Sequence, residues 1–192
     1  MICNKDNKLI NCALFLDLSK TCVDHKILLE KLFCYGVKGA PLKLLVSYLD
    51  NRFQCTKIRD TKSSFLYVTC GVPQGYVVGP LLFLIYIDDI VKASNCNTVL
   101  YADDVNLHIS GEKHEILEKT VNHELKKIDH WVRANKLCIN YSKSNFMLMN
   151  HHKNIYFSVS INHHPISKQN SLNILALYLM INLIGSLKLK SW

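Results

Sequence analysis

The sequence predicts an α+β fold, an antiparallel sheet with helices packed on one face, and three stretches carry that expectation. Residues 12–16 are an unbroken apolar run ending on Asp17, the pattern of a central strand buried on both faces that delivers a polar group at its end. Residues 98–101 and 105–109 are strand-like runs flanking Ala102-Asp103-Asp104, which gives a hairpin with carboxylates at its tip. Within residues 112–135, Ile116, Leu117, Val121, Leu125, Ile128 and Trp131 or Val132 recur at spacings of three and four, the signature of an amphipathic helix.

The remaining elements fall between these. Residues 23–32 carry Ile27, Leu28 and Leu32 at helical spacing, with Gly36 and Gly39 closing the segment. Residues 41–49 repeat the helical pattern, and residues 52–69 read as two polar-rich strands around a turn near 60–64. Gly71-Val-Pro-Gln-Gly75 is a loop of unusual backbone geometry, followed by Gly79-Pro80, where proline suits the first turn of a helix. Residues 81–87 are apolar nearly all round, so that helix is expected to be deeply buried. Residues 136–149 return to a turn and a strand, and beyond residue 150 the periodicity blurs.

A chain of 192 residues suits one domain able to bury its own core, and a charged fraction of 20% against 49% hydrophobic excludes global disorder. The net charge of +8 favours a polyanionic partner, and no carboxylate side chain follows Asp129 while Arg133, Lys136, Lys143, Lys153, Lys168, Lys188 and Lys190 do. The eight cysteines form no C-x-x-C pair and read as small buried hydrophobes in a reducing compartment. The doublets His151-His152 and His163-His164 lack companion ligands for zinc. Residues 1–8 contain no apolar core of a signal peptide, and the apolar stretch 172–187, interrupted by Asn173 and Asn182, is short for a membrane span. The expectation is an intracellular protein, nuclear or cytoplasmic, neither secreted nor bound to a membrane.

Adjacent aspartates at a hairpin tip repel unless a cation or water screens them, which invites a metal. Mg²⁺ takes one or two carboxylates together with phosphate oxygens, and two such ions about 4 Å apart can hold the attacking and leaving oxygens of a phosphoryl transfer. Asp17, at the end of the first strand, is the natural third carboxylate. Because successive strand residues face opposite ways, Asp103 and Asp104 contribute unequally, and Asp103 is expected to be the stronger ligand.

Four motifs stand in one order: Phe15-Leu-Asp-Leu-Ser-Lys20 with Val23-Asp-His25, Gly71-Val-Pro-Gln-Gly75 with Gly79-Pro-Leu-Leu-Phe83, Tyr101-Ala-Asp-Asp104, and Leu125-Lys-Lys-Ile-Asp-His-Trp131 with Ala134-Asn-Lys-Leu137 running on to Lys143. Together they resemble the palm region of the reverse transcriptases of non-LTR retrotransposons, over about residues 14–149. The resemblance implies an RNA-directed DNA polymerase that joins a dNTP to a primer 3′-hydroxyl on an RNA template, with Mg²⁺, or Mn²⁺ in its place, as the metal. It implies Asp17, Asp103 and Asp104 as catalytic and metal-binding carboxylates, Gln74, Gly71 and Gly75 bordering nucleotide and template, and Lys143 as a cation near the leaving pyrophosphate.

The chain departs from that family at several points. Only Thr21-Cys22 separate Lys20 from Val23-Asp-His25, two residues fewer than usual, and Cys22 takes the place of the aromatic that excludes a ribose 2′-hydroxyl; weak discrimination against ribonucleotides is the implication. Tyr76 replaces the usual serine after Gly75, and the late palm turn is represented only by Leu175-Ala-Leu177, where alanine adopts positive φ less cheaply than glycine. The expected layout is a palm region over residues 1–165, with a fingers-proximal hairpin at about 52–69, and a degenerate palm end with a basic tail over 166–192. The upstream fingers and downstream thumb are expected to be missing, which would impair synthesis. A non-catalytic nucleic-acid-binding remnant and a decayed retrotransposon product are the alternatives.

Overall fold

A computed structural model of the chain describes residues 9–19, 23–72, 78–101, 104–149 and 156–169. Its elements run β1 (Ile10–Asp17), α1 (His25–Cys34), α2 (Gly39–Leu49), four two-residue strands β2 (Phe53–Gln54), β3 (Lys57–Ile58), β4 (Thr61–Lys62) and β5 (Leu66–Tyr67), then α3 (Val78–Ile87) leading into a 3₁₀ turn over Asp88–Lys92. There follow β6 (Asn97–Tyr101), β7 (Asp104–Gly111), α4 (His114–Ala134), β8 (Asn145–Met149), and the short β9 (Ser160–Ile161), β10 (His164–Pro165) and β11 (Ser167–Lys168).

Among the described residues the main sheet has five strands in the order β11-β8-β1-β7-β6. Every pairing in it is antiparallel except β11 with β8. The expected α+β architecture is therefore present, with β1 at the centre. β1 differs from expectation in one respect: Cys12, Leu14 and Leu16 are fully buried, but Asn11, Phe15 and Asp17 on the alternate face are only half-buried. The reason lies in its neighbours. Leu14 pairs with Leu107 and Phe146, and Leu16 with Val105, so the apolar positions of three strands coincide on one face, which is packed into the core, while on the other face of β1 only Ala13 is buried.

α4 packs Leu117, Val121, Leu125, Ile128 and Val132 into that core, as its periodicity predicts, but Ile116, expected on the same stripe, lies in the first turn and is 60% exposed. Gly111 allows the close approach: a Cβ there would stand 3.2 Å from the Cβ of Leu117. The helix ends with Lys136 at φ +51, a left-handed position usually held by glycine, while the amides of Lys136 and Leu137 donate to the carbonyls of Arg133 and Val132.

α3 corrects a second expectation. Leu82, Phe83, Tyr86 and Ile87 are buried, but Leu81 is 56% and Leu84 42% exposed, so only one side of this apolar helix meets the core. Composition alone cannot distinguish a helix buried all round from one whose outer side is left open. The cysteines correct a third. Cys12 is buried, whereas Cys34, Cys70 and Cys138 are exposed and Cys55 and Cys96 intermediate, because these five lie on helix ends, hairpins and loops. No helix among the described residues is long and apolar enough to cross a membrane.

Candidate active site

The register of β1 against β7 sets Asp17 directly opposite Asp104, at the last pair of the ladder. Opposed residues in an antiparallel pair share a face and hold their Cβ atoms about 5 Å apart. That face is the less buried one at this end: Asp17, Phe15, Asn106 and Asn145 are half-buried and Asp104 is exposed, whereas Ala13, further along opposite His108, is buried. It also carries Phe15, Asn106, Asn145 and His108, and burial lowers the pKa of His108, which keeps its imidazole neutral. Two carboxylates so placed repel, and a hard cation with oxygen ligands relieves the repulsion, so the donor set fits Mg²⁺ or a similar dication. Asp103, expected as the stronger ligand, lies outside the described residues, as do Gln74, Gly75, Cys22 and the segment 175–177. Among the described residues no group of three or more His, Cys, Asp or Glu could hold a metal.

The backbone around Asp17 is fixed from the following turn. The amide of Asn140 donates to the carbonyl of Asp17 (2.9 Å), the amide of Asp17 donates to the Ser144 hydroxyl (3.3 Å), and that hydroxyl donates to the Asn140 carbonyl (2.9 Å). The Ser19 amide donates to the Cys138 carbonyl at 2.9 Å. Lys143, exposed, belongs to the same turn, its amide on the Asn140 carbonyl at 3.2 Å. A lysine 126 residues further along the chain is thus carried to the carboxylate end of the sheet by three backbone-level bonds to Asp17 and Ser19.

Gly71 is held to the same end from the other side. Its amide donates to the Val23 carbonyl at 2.7 Å, its carbonyl lies 2.7 Å from Nε2 of His25, and its φ is +85, which only glycine adopts cheaply. Of the residues predicted from sequence, then, the structure brings Asp17, Asp104, Lys143 and Gly71 to one end of the sheet.

Sequence reasoning did not assign roles to the residues that tie this end together. Asp24 caps α1, its Oδ1 accepting from the Ile27 amide (3.1 Å), and its Oδ2 accepts from Nζ of Lys136 (2.7 Å). The Lys136 ammonium is the first reason that the Asp24 pKa is lowered from 3.8. Tyr86, fully buried, donates its hydroxyl to the Asn135 carbonyl (2.6 Å) and accepts from the Asp24 amide (3.3 Å). Lys31 donates to the Tyr86 carbonyl (2.6 Å) and to Asp89 (2.5 Å), and its ammonium stands 4.8 Å from the centre of the Trp131 ring. The motif segments 23–25 and 134–137 and Tyr86, three residues beyond the motif that ends at Phe83, are therefore one hydrogen-bonded unit. The signal was the motifs' co-occurrence, but which side chain meets which depends on the tertiary fold.

Compared with known proteins, residues 2–179 match the family described as reverse transcriptase (RNA-dependent DNA polymerase). The chain is 27% identical over 141 residues to a probable RNA-directed DNA polymerase from transposon X-element of Drosophila melanogaster; the match covers 71% of this chain and 16% of that protein. Its fold resembles that of apo telomerase from Candida tropicalis truncated from its C-terminal domain, with a TM-score of 0.55 at 10% identity over 80% of this chain and 33% of that one.

Proposed function

We propose, from the premise that this chain belongs to the reverse transcriptase (RNA-dependent DNA polymerase) family, that the carboxylate end of its sheet is the centre for RNA-directed DNA synthesis. The observation that carries the reading is the opposition of half-buried Asp17 and exposed Asp104 on one face, at the end where Gly71 and Lys143 also converge. Asp17 and Asp104, with Asp103 beside them in sequence, would hold the divalent metal, for which Mg²⁺ is the proposed ion and Mn²⁺ a substitute. When bound, such an ion neutralises charge on the transferring phosphoryl group and lowers the pKa of the attacking hydroxyl.

The chain's own residues supply position. Asn140 and Ser144 fix the backbone of Asp17, so its carboxylate is presented from a strand anchored on both sides and not from a free loop. Gly71 is clamped to Val23 and His25, and Gln74 and Gly75, which follow it in the sequence, are proposed to border the incoming dNTP and the RNA template. Lys143 offers an ammonium to the leaving pyrophosphate, placed by the turn that holds Asp17. Cys22, Tyr76 and Ala176 depart from the family pattern at places proposed to touch sugar, substrate and primer, and synthesis is accordingly expected to be slow.

Primer extension on poly(rA)/oligo(dT) with Mg²⁺ and then Mn²⁺ tests the reading, with Asp103→Ala as the control. Incorporation of dTTP that disappears in Asp103→Ala is the expected result. Binding of template and primer without extension in either ion would point instead to a nucleic-acid-binding remnant.

A further inference from the structure

We propose that the groove between α4 and the β9–β10 hairpin docks an extended acidic segment of a partner protein, at a site that shares no residue with the proposed polymerase centre. The groove has a volume of about 520 Å³. One wall is a single stripe of α4 running from Glu118 to Arg133, about 22 Å at the rise of a helix. The other is the chain from Ser158 to His163. An extended peptide of about six or seven residues spans that length, whereas a compact small molecule meets only part of it.

Both walls are set before anything binds. The Asn122 side chain donates to the Ser158 carbonyl (2.9 Å) and accepts from the Ser160 amide (3.0 Å), so it completes this edge of the chain leading into β9 as a neighbouring strand would. Val159 and Ile161, which alternate with these serines, are buried in the core. On the far side of the hairpin His164 stacks on Tyr141 with ring centres 4.3 Å apart. Because Asn122 already occupies the backbone of this edge, a ligand in the groove is recognised by side chains and not by strand addition.

What the side chains offer is mostly positive. Asp129 accepts from Nε of Arg133 (2.7 Å), which orients the guanidinium and leaves its two terminal nitrogens without a partner among the described residues. The side chains of Lys126, His130 and His163 likewise make no hydrogen bond or ion pair there. Lys126, His130 and Arg133 follow at intervals of four and three residues, roughly 6 and 4.5 Å along the helix axis, close to the roughly 6.6 Å between alternate side chains of an extended chain. Carboxylates on alternate residues therefore reach successive cations, and the free edge of Arg133 takes one of them through two parallel bonds. At the other end the Glu118 carboxylate is uncommitted among the described residues, so the groove has a direction: acidic residues toward Arg133, a basic one toward Glu118. A nucleic-acid strand, negative along its whole length, would meet Glu118 as well as the cations, and the groove has no Phe, Tyr or Trp on which a base could stack.

The test is fluorescence anisotropy of a labelled peptide, Lys-Ser-Gly-Glu-Ser-Glu-Ser-Glu with blocked ends, against the full chain at low salt. It should bind at least ~10-fold more tightly than the same peptide with Gln for Glu, and Lys126→Gln/Arg133→Gln should remove most of that difference. Lys57→Gln/Lys62→Gln, which takes the same charge from the exposed hairpin at β3 and β4, should leave peptide binding unchanged. His130→Ala/His163→Ala, which keeps the Arg133–Asp129 pair, should weaken it by ~3-fold or more. Replacing the peptide's lysine by serine should weaken binding by ~2-fold or more in the parent but not in Glu118→Gln, which fixes the direction. Circular dichroism melts of the variants should match the parent, because Lys126, His130, Arg133 and His163 are exposed. Equal binding of the two peptides would overturn the proposal, as would an equal loss in Lys57→Gln/Lys62→Gln or no loss in either groove variant. Oligo(U) binding that disappears in Lys126→Gln/Arg133→Gln, with no binding of the acidic peptide, would overturn it in favour of RNA.

Discussion

The two faces of the central sheet are built from the same three strands and serve opposite ends. On one, Cys12, Leu14, Leu16, Val105, Leu107, Ile109, Phe146 and Leu148 are closed under helices; on the other, Asp17 and Asp104 stand opposed with Phe15, Asn106 and Asn145 beside them. The strand period of two lets adjacent residues divide the work, so that Leu16 stabilises while Asp17 is available for chemistry. Stability and the proposed chemistry are separated here by one residue along the chain, across the thickness of the sheet.

That division can be broken by substitutions ordered by expected size. Asp17→Asn should reduce primer extension by at least about 100-fold, since it removes a carboxylate proposed to hold the metal, while the melting temperature stays level or rises because a like-charge pair has been relieved. A large loss of stability in this variant would show that the less buried face is structural after all. Leu14→Ala should cost about 2–5 kcal/mol in urea unfolding, and its neighbour Phe15→Ala distinctly less although more atoms are removed, because only Leu14 is fully buried. Equal costs would mean that the face carrying Phe15 is covered in solution.

Smaller effects probe the ties between motifs. Tyr86→Phe removes the donor to the buried Asn135 carbonyl and an acceptor for the Asp24 amide, and about 1–2 kcal/mol of destabilisation follows. Asp24→Asn keeps a competent helix cap but loses the ion pair with Lys136, whose own side chain is 65% exposed, so the cost at neutral pH should stay below about 1 kcal/mol. The sign of its pH dependence follows from the lowered Asp24 pKa: the contribution is complete above 3.8 and disappears as pH falls through the depressed folded value. Parent and variant should therefore converge in acid, and a gap that persisted there would assign the effect to something other than the ion pair.

Much of this is legible in the sequence itself. The apolar run ending on Asp17, the strand pair around Asp103 and Asp104 and the α4 periodicity each encode their geometry locally, and α4 spans His114–Ala134 where the spacing placed it at 112–135. What was not legible depends on partners far away in the chain. Whether Leu81 and Leu84 meet a core is decided by what lies beyond α3, and the exposure of Cys34, Cys70 and Cys138 by the ends and loops on which they fall. The same holds at the site: Asp17 and Asp104 could be paired only through a register, and Lys143 could be carried to them only through the Asn140 and Ser144 bonds.

The anchors on either side of the shortened stretch at residues 20–22 set its meaning. Upstream, Leu18 bridges to Ile139 and Ser19 bonds Cys138; downstream, Asp24 bridges to Cys70 and bonds Tyr86 and Lys136. A segment docked at both ends in this way behaves as an exchangeable insert: residues can be gained or lost between the anchors without moving either. On the proposed reading, in which Cys22 takes the place beside the sugar, grafting a family-length segment between these anchors is expected to change nucleotide choice without rebuilding the fold.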